Sequence, residues 1–258
     1  MMAFPLYISV WGRQIHPHVL FDLLAYTLAF GVYLVLRSRD KDFLSTPLRL
    51  VILAAATTGA TVGAKLLFVL EDPSLTLQHL HDPAYLLGGK TIVGALAGGL
   101  IAVELMKRYV GIDRSTGDLF AIPLALGIAI GRVGCFLTGL SDNTYGVSTS
   151  LPWGVDFGDG VHRHPTQIYE AVFLLILTLM LRLIMRQIKS GAQFRPGDAF
   201  KVFMVAYMGF RFLSDFVKPY PRVALGLGAI QWVCLIVLFY YAGDIRRWLR
   251  VTEVSFVQ

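Results

Sequence analysis

The feature that most constrains this chain is the repeated return of apolar runs close to twenty residues long. One is "VILAAATTGATVGAKLLFVL" at 51–70, and "AVFLLILTLMLRLIM" at 171–185 is the apolar body of a second, 166–185. The hydrocarbon core of a bilayer takes about 20 apolar residues per helix, with a range of roughly 17–25. Composition agrees: the 258 residues are 55% hydrophobic and only 16% charged, with a mean hydropathy of +0.62. The reading is an all-α, polytopic membrane protein. Seven spans are expected, near 18–36, 48–70, 91–106, 118–138, 166–185, 198–217 and 227–243, forming a single transmembrane domain over 1–258.

The net charge of +6 would suggest nucleic acid in a soluble protein. Here the basic residues lie between apolar segments, so they report orientation instead, and no nucleic-acid partner is expected. With the N-terminus outside, fourteen Lys and Arg, Lys41 among them, fall in inside segments and five fall outside. The remaining four, Lys65, Arg132, Lys201 and Arg211, lie within spans or at their ends. The excess predicts an outside N-terminus and a cytoplasmic C-terminus. The opening "MMAFPLYISVWGRQIHPH" lacks a basic start and a small-residue cleavage site, so no removable signal is expected.

Three pairs of glycines at i, i+4 (Gly59/Gly63, Gly94/Gly98 and Gly127/Gly131) predict close helix approach within lipid. Residues 139–165 carry "SDNTYG", "LPWG" and "DFGDG", which is turn chemistry. With Tyr145 and Trp153 they predict a small extracytoplasmic head. Cys135 and Cys234 sit in apolar runs without metal-ligand spacing and read as inert buried thiols. The pairs His16/His18, His79/His81 and His162/His164 read as solvated loop residues, so neither metal nor cofactor is expected.

An arginine at the centre of a membrane helix costs about 2.5–3.5 kcal/mol on insertion scales, so it faces a bundle interior or a cavity. Arg132 follows the run "LFAIPLALGIAI", and Arg211 lies in "VAYMGFRFLSDF". Lys65 is set in span two, where snorkelling to the interface is an equal alternative. Tyr207, Arg211 and Asp215 recur every four residues and so share one helical face. Span five opens on "HRHPTQIYEAVF", bringing His164, Gln167, Tyr169 and Glu170 to the membrane edge, and Gln231 opens span seven. Two arginines at headgroup depth suit a phosphate, because guanidinium is planar, always charged and bidentate. Gly131 and Gly134 would let backbone or lipid come close to Arg132. The expectation is a phospholipid headgroup held between Arg132 and Arg211, with transfer or cleavage of that headgroup as the chemistry.

At these residues the chain resembles the prolipoprotein diacylglyceryl transferase family. "GRVGCFLTG" is similar to its Gly-Arg-x-Gly signature, "RHPTQIYEAV" to its His-Pro-Ser/Thr-Gln-x-Tyr-Glu segment, and "YMGFRFLSDFVK" to its Tyr…Arg…acid stretch. "GGKTIVGALAGGL" sits where the family has a glycine-rich helix start. The resemblance implies seven helices and transfer of the diacylglyceryl group of phosphatidylglycerol to a cysteine of a secreted prolipoprotein, releasing glycerol phosphate. It implies the bacterial cytoplasmic membrane as the location. By position Arg132 and Arg211 match the family's essential arginines, Tyr207 its nearby tyrosine, Asp215 its acid, and Tyr26 a tyrosine of the first helix. Three positions depart from the pattern. Val93 stands where members have a histidine proposed as the base, Cys135 replaces an asparagine, and Leu140 replaces a glutamate. His164 and Tyr207 are then the candidate bases. Two other readings stay open: the same donor chemistry with a different acceptor, and a lipid-binding or transport protein without catalysis.

Overall fold

In the computed structural model the described residues are 4–40, 42–191 and 194–255, so Lys41 lies outside them. Helices dominate. Several boundaries have a local cause. Helix α1 (Pro17–Arg39) starts with proline, whose fixed φ suits a first turn, and ends on Arg37 and Arg39, which complement the carbonyl end of the dipole. Helix α2 (Thr46–Glu71) also opens on a proline. The Asp72 carboxylate then accepts the Leu75 N–H at 3.0 Å and starts the short α3 (Pro73–Gln78), which α4 (Pro83–Gly88) follows. The Thr91 hydroxyl caps α5 (Ile92–Tyr109) by accepting the Gly94 N–H at 3.3 Å. Helix α6 (Asp118–Thr138) stops at Gly139, whose φ of 74° ends the ladder. Helix α7 (Thr166–Ser190) stops in the same way at Gly191, φ 68°. Helix α8 (Asp198–Ser214) tightens into a 3-10 turn at Asp215–Val217. Helix α9 (Ala229–Tyr240) meets α10 (Ala242–Ser255) at a bend of 56°.

Each of the seven expected segments falls on a helix. Four of them, α1, α2, α6 with its following turn, and α7, are long and apolar enough to cross a membrane, and the bent α9–α10 pair makes a fifth if it counts as one span. The other two are marginal for physical reasons. Helix α5 holds Glu104, Lys107 and Arg108 within 18 residues, and α8 is 17 residues long. The chain is a multi-pass, all-α membrane protein.

It divides into two compact units. The first comprises Met1–Lys41, Thr116–Ala206 and Phe216–Pro219. Here α6 lies between α1 and α7. A methyl group at Gly134 would collide with Phe21, and one at Gly127 would sit 3.2 Å from Ala29. Gly131 departs from expectation, since its nearest neighbour, the Asp22 carboxylate, would be 4.0 Å away. The close approach at this end of α6 is therefore made by Gly134. Asp118 ties α6 to the start of α8 by accepting the N–H groups of Gly197 (2.5 Å) and Phe200 (3.1 Å). Two small antiparallel hairpins complete the unit, β1 (Ile8–Val10) with β2 (Arg13–Ile15), and β3 (Val155–Asp156) with β4 (His162–Arg163). The second falls within the segment 139–165. In its turn the Gly158 N–H above all, with those of Gly160 and Asp159, holds the exposed Asp156 carboxyl below the usual carboxylate range.

The second unit comprises Asp42–Ser115, Tyr207–Asp215 and Tyr220–Gln258. Its centre is the α2–α5 contact, where the two predicted glycine pairs meet each other. A side chain at Gly63 would strike the Gly94 carbonyl, and one at Gly98 the Gly59 carbonyl. Backbones this close gain dispersion contacts that lipid cannot supply. Arg49 is buried, with its Nε 2.7 Å from Asp42.

Candidate active site

The first unit holds Arg132. It sits in the last two turns of α6 at 7% exposure, and its Nε lies 2.9 Å from the carboxylate of Glu170 on α7, which is 1% exposed. Neither charge would survive that burial alone; together they compensate. Arg132 Nη1 also reaches the Cys135 sulfur at 3.8 Å. One turn before Glu170 lies Gln167, 1% exposed, and neither its amide nitrogen nor its oxygen has a hydrogen-bond partner among the described residues. A buried amide in that state costs about 1–3 kcal/mol. His164 and Tyr169 are joined at 3.3 Å, and the Tyr169 hydroxyl accepts the Trp153 indole N–H at 2.8 Å. The expected His164 base is thus one member of a head network rather than an isolated imidazole.

The second unit holds the predicted stripe of α8, and all three residues are buried: Tyr207 at 0%, Arg211 at 3% and Asp215 at 1% exposure. Arg211 Nη2 donates to Asp215 at 3.0 Å, the i, i+4 pair that the spacing implied. Gln231 is tied into the protein at both ends of its amide. Its oxygen accepts from Gly228 N–H (2.9 Å) and Arg222 Nη1 (2.7 Å), and its nitrogen donates to the Phe212 carbonyl (3.1 Å). It caps α9 and pins the loop before it. Lys65 also contacts backbone. Its ammonium donates to the carbonyls of Leu86 (2.8 Å) and Gly89 (2.5 Å), closing the end of α4. Tyr26 stands apart on α1, 71% exposed.

Two features escaped the sequence reading. Arg222, counted there as a loop charge, donates to the Asp215 carbonyl at 3.1 Å as well as to Gln231, so it braces the arginine stripe. His18 is not a solvated loop residue either. It lies 3.2 Å from Asp142 and 3.3 Å from Asp22, with the Cys135 thiol in hydrogen-bond reach of both His18 and Asp142. The i, i+4 spacing of His18 and Asp22 was a visible signal; the approach of Asp142 was not.

These parts define a class: a multi-pass membrane protein with two buried arginines, Arg132 and Arg211, each matched to a carboxylate. The comparisons carry this further. Residues 5–243 match the family model described as prolipoprotein diacylglyceryl transferase. The chain is similar to the phosphatidylglycerol–prolipoprotein diacylglyceryl transferase of Clostridium tetani, at 32% identity over 73% of this chain and 77% of that protein. It is similar to the Bordetella avium enzyme of the same name at 30% over 91% and 92%, and to that of Geobacter sulfurreducens at 38% over half of each chain. The chain belongs to the prolipoprotein diacylglyceryl transferase family.

Proposed function

We propose that this chain transfers the diacylglyceryl group of phosphatidylglycerol to a cysteine thiol of a secreted prolipoprotein, releasing glycerol phosphate. The observation that carries this reading is the family match across residues 5–243. The thiolate sulfur forms a bond to the glyceryl carbon as that carbon's bond to the phosphate oxygen breaks, and the electron pair leaves on the phosphate. Donors aimed at that oxygen stabilise the charge it gains. Arg132 and Arg211 are each assigned to the phosphate. A guanidinium has five N–H donors, so a carboxylate along one edge is compatible with a phosphate along another. Glu170 and Asp215 hold the arginines in orientation. Gln167, with both amide ends unpartnered, is assigned to the polar atoms of the headgroup. The acceptor thiol, with an ordinary pKa of about 8.5, gives its proton to a base, for which His164 and Tyr207 are assigned. All seven helices at the predicted positions are taken to cross the bacterial cytoplasmic membrane, with the N-terminus outside, as the excess of inside basic residues supports.

The test is turnover of labelled phosphatidylglycerol with a lipobox peptide in proteoliposomes. Thioether lipopeptide and glycerol phosphate are expected in equal amounts. Arg132→Ala and Arg211→Ala should each insert normally and lose about a hundredfold or more in rate. Lysine should restore little at either position, because a point charge lacks the bidentate fork. Full activity in either alanine variant overturns that arginine's assignment. Glycerol phosphate without thioether would point to another acceptor, and lipid binding without turnover to a non-catalytic protein.

A further inference from the structure

The cluster around His18 has no part in the reading above. His18 stands in the first turn of α1, Cys135 in the last turn of α6 and Asp142 in the 3-10 turn Gly139–Asp142. One ring nitrogen, the sulfur and one carboxylate oxygen all lie within 4.8 Å of one another. The two ring nitrogens are divided: Nδ1 faces Asp142 at 3.2 Å, and Nε2 faces Asp22 at 3.3 Å. That division is how a metal-bound histidine is held, with one nitrogen on the ion and the other donating to an outer carboxylate. Cys135 and the Asp142 carboxylate are buried, while the imidazole is 30% exposed, which leaves one side of the cluster approachable.

We propose that His18 Nδ1, Cys135 Sγ and the Asp142 carboxylate bind one borderline-soft divalent cation, zinc by the donor set, with Asp22 orienting His18. Sulfur, imidazole and carboxylate are the three zinc donors, whereas magnesium and calcium take oxygen. Zinc bonds of about 2.0–2.3 Å place tetrahedral ligand atoms roughly 3.5 Å apart, so the three donors need only a small inward turn of their side chains. The ion replaces the thiol proton, which passes to solvent. Three protein ligands leave a fourth position for water or another small ligand. The ion would pin the start of α1 to the end of α6. It would also bring positive charge to Cys135, whose sulfur lies 3.8 Å from Arg132 Nη1.

The experiment uses the full chain in detergent, purified without a histidine tag, stripped with a chelator and titrated with Co²⁺. One equivalent of cobalt should bind with a thiolate-to-cobalt charge-transfer absorption, which zinc then discharges. Cys135→Ser should lose that absorption, and Cys234→Ser should keep it. Asp22→Asn should keep it with affinity lowered about 10- to 100-fold. A second measurement needs no variant: zinc should slow alkylation of Cys135 in the wild-type chain and leave Cys234 unaffected, read by mass spectrometry. Absence of the charge-transfer band in the wild type, its persistence in Cys135→Ser, or alkylation of Cys135 indifferent to zinc each overturns the site.

Discussion

Arg132 and Glu170 hold opposite charges 2.9 Å apart where solvent hardly reaches. Removing one partner of such a pair strands the other, at a cost of about 3–5 kcal/mol, whereas removing both is far milder. Glu170→Ala should therefore lower thermal stability in detergent sharply. The double variant Arg132→Met/Glu170→Leu should recover most of that loss while remaining inactive. A double variant as unstable as the sum of its singles would mean that the pair does not couple. At this scale, what was legible depended on distance along the chain. Tyr207, Arg211 and Asp215 could be placed together because one helix repeats every 3.6 residues. His18 and Asp142 are 124 positions apart by subtraction, and no periodicity connects them. Gln231 and Lys65 stand out in the sequence as polar residues in apolar runs. In both cases the polar atoms satisfy backbone groups at helix ends that lipid cannot satisfy.

The glycine pairs of α2 and α5 were the most informative local signal for packing. Gly59 and Gly63 meet Gly94 and Gly98 backbone to backbone, which the i, i+4 spacing allows but does not by itself assign to particular partners. The third pair shows the limit. At Gly131 the nearest neighbour, Asp22, would be 4.0 Å away, and the tight contact falls instead at Gly134, which the motif does not include. Gly63→Leu should force α2 and α5 apart and lower the unfolding temperature markedly, because added methylenes at a packed contact cost about 1–3 kcal/mol or more. Gly31→Leu, a glycine on α1 with nothing near it, should be close to neutral. Equal effects at the two positions, measured by thermal unfolding in the same detergent, would refute the tight α2–α5 contact.

For the whole chain, apolar length located every long helix, and charge placement supplied an orientation. Length alone stops at four or five spans because α5, α8 and α9 are short or carry charge. In the proposed seven-span arrangement such segments would cross lipid with the help of protein neighbours that an isolated run does not reveal. With the proposed orientation, an introduced cysteine at Asp159 in the head should react with an impermeant thiol reagent on intact cells. One at Arg250 should react only after permeabilisation, and the opposite pattern would invert the topology.

Gln167 sets a conflict between endurance and work. Among the described residues neither end of its buried amide has a partner, and a leucine of similar size would remove that burden. On the function proposed above, the same amide meets the lipid headgroup. Selection for heat resistance and selection for turnover then pull this one position in opposite directions. A screen that kept only the hardiest variants would be drawn to residue 167 and would collect proteins that fold better and no longer catalyse.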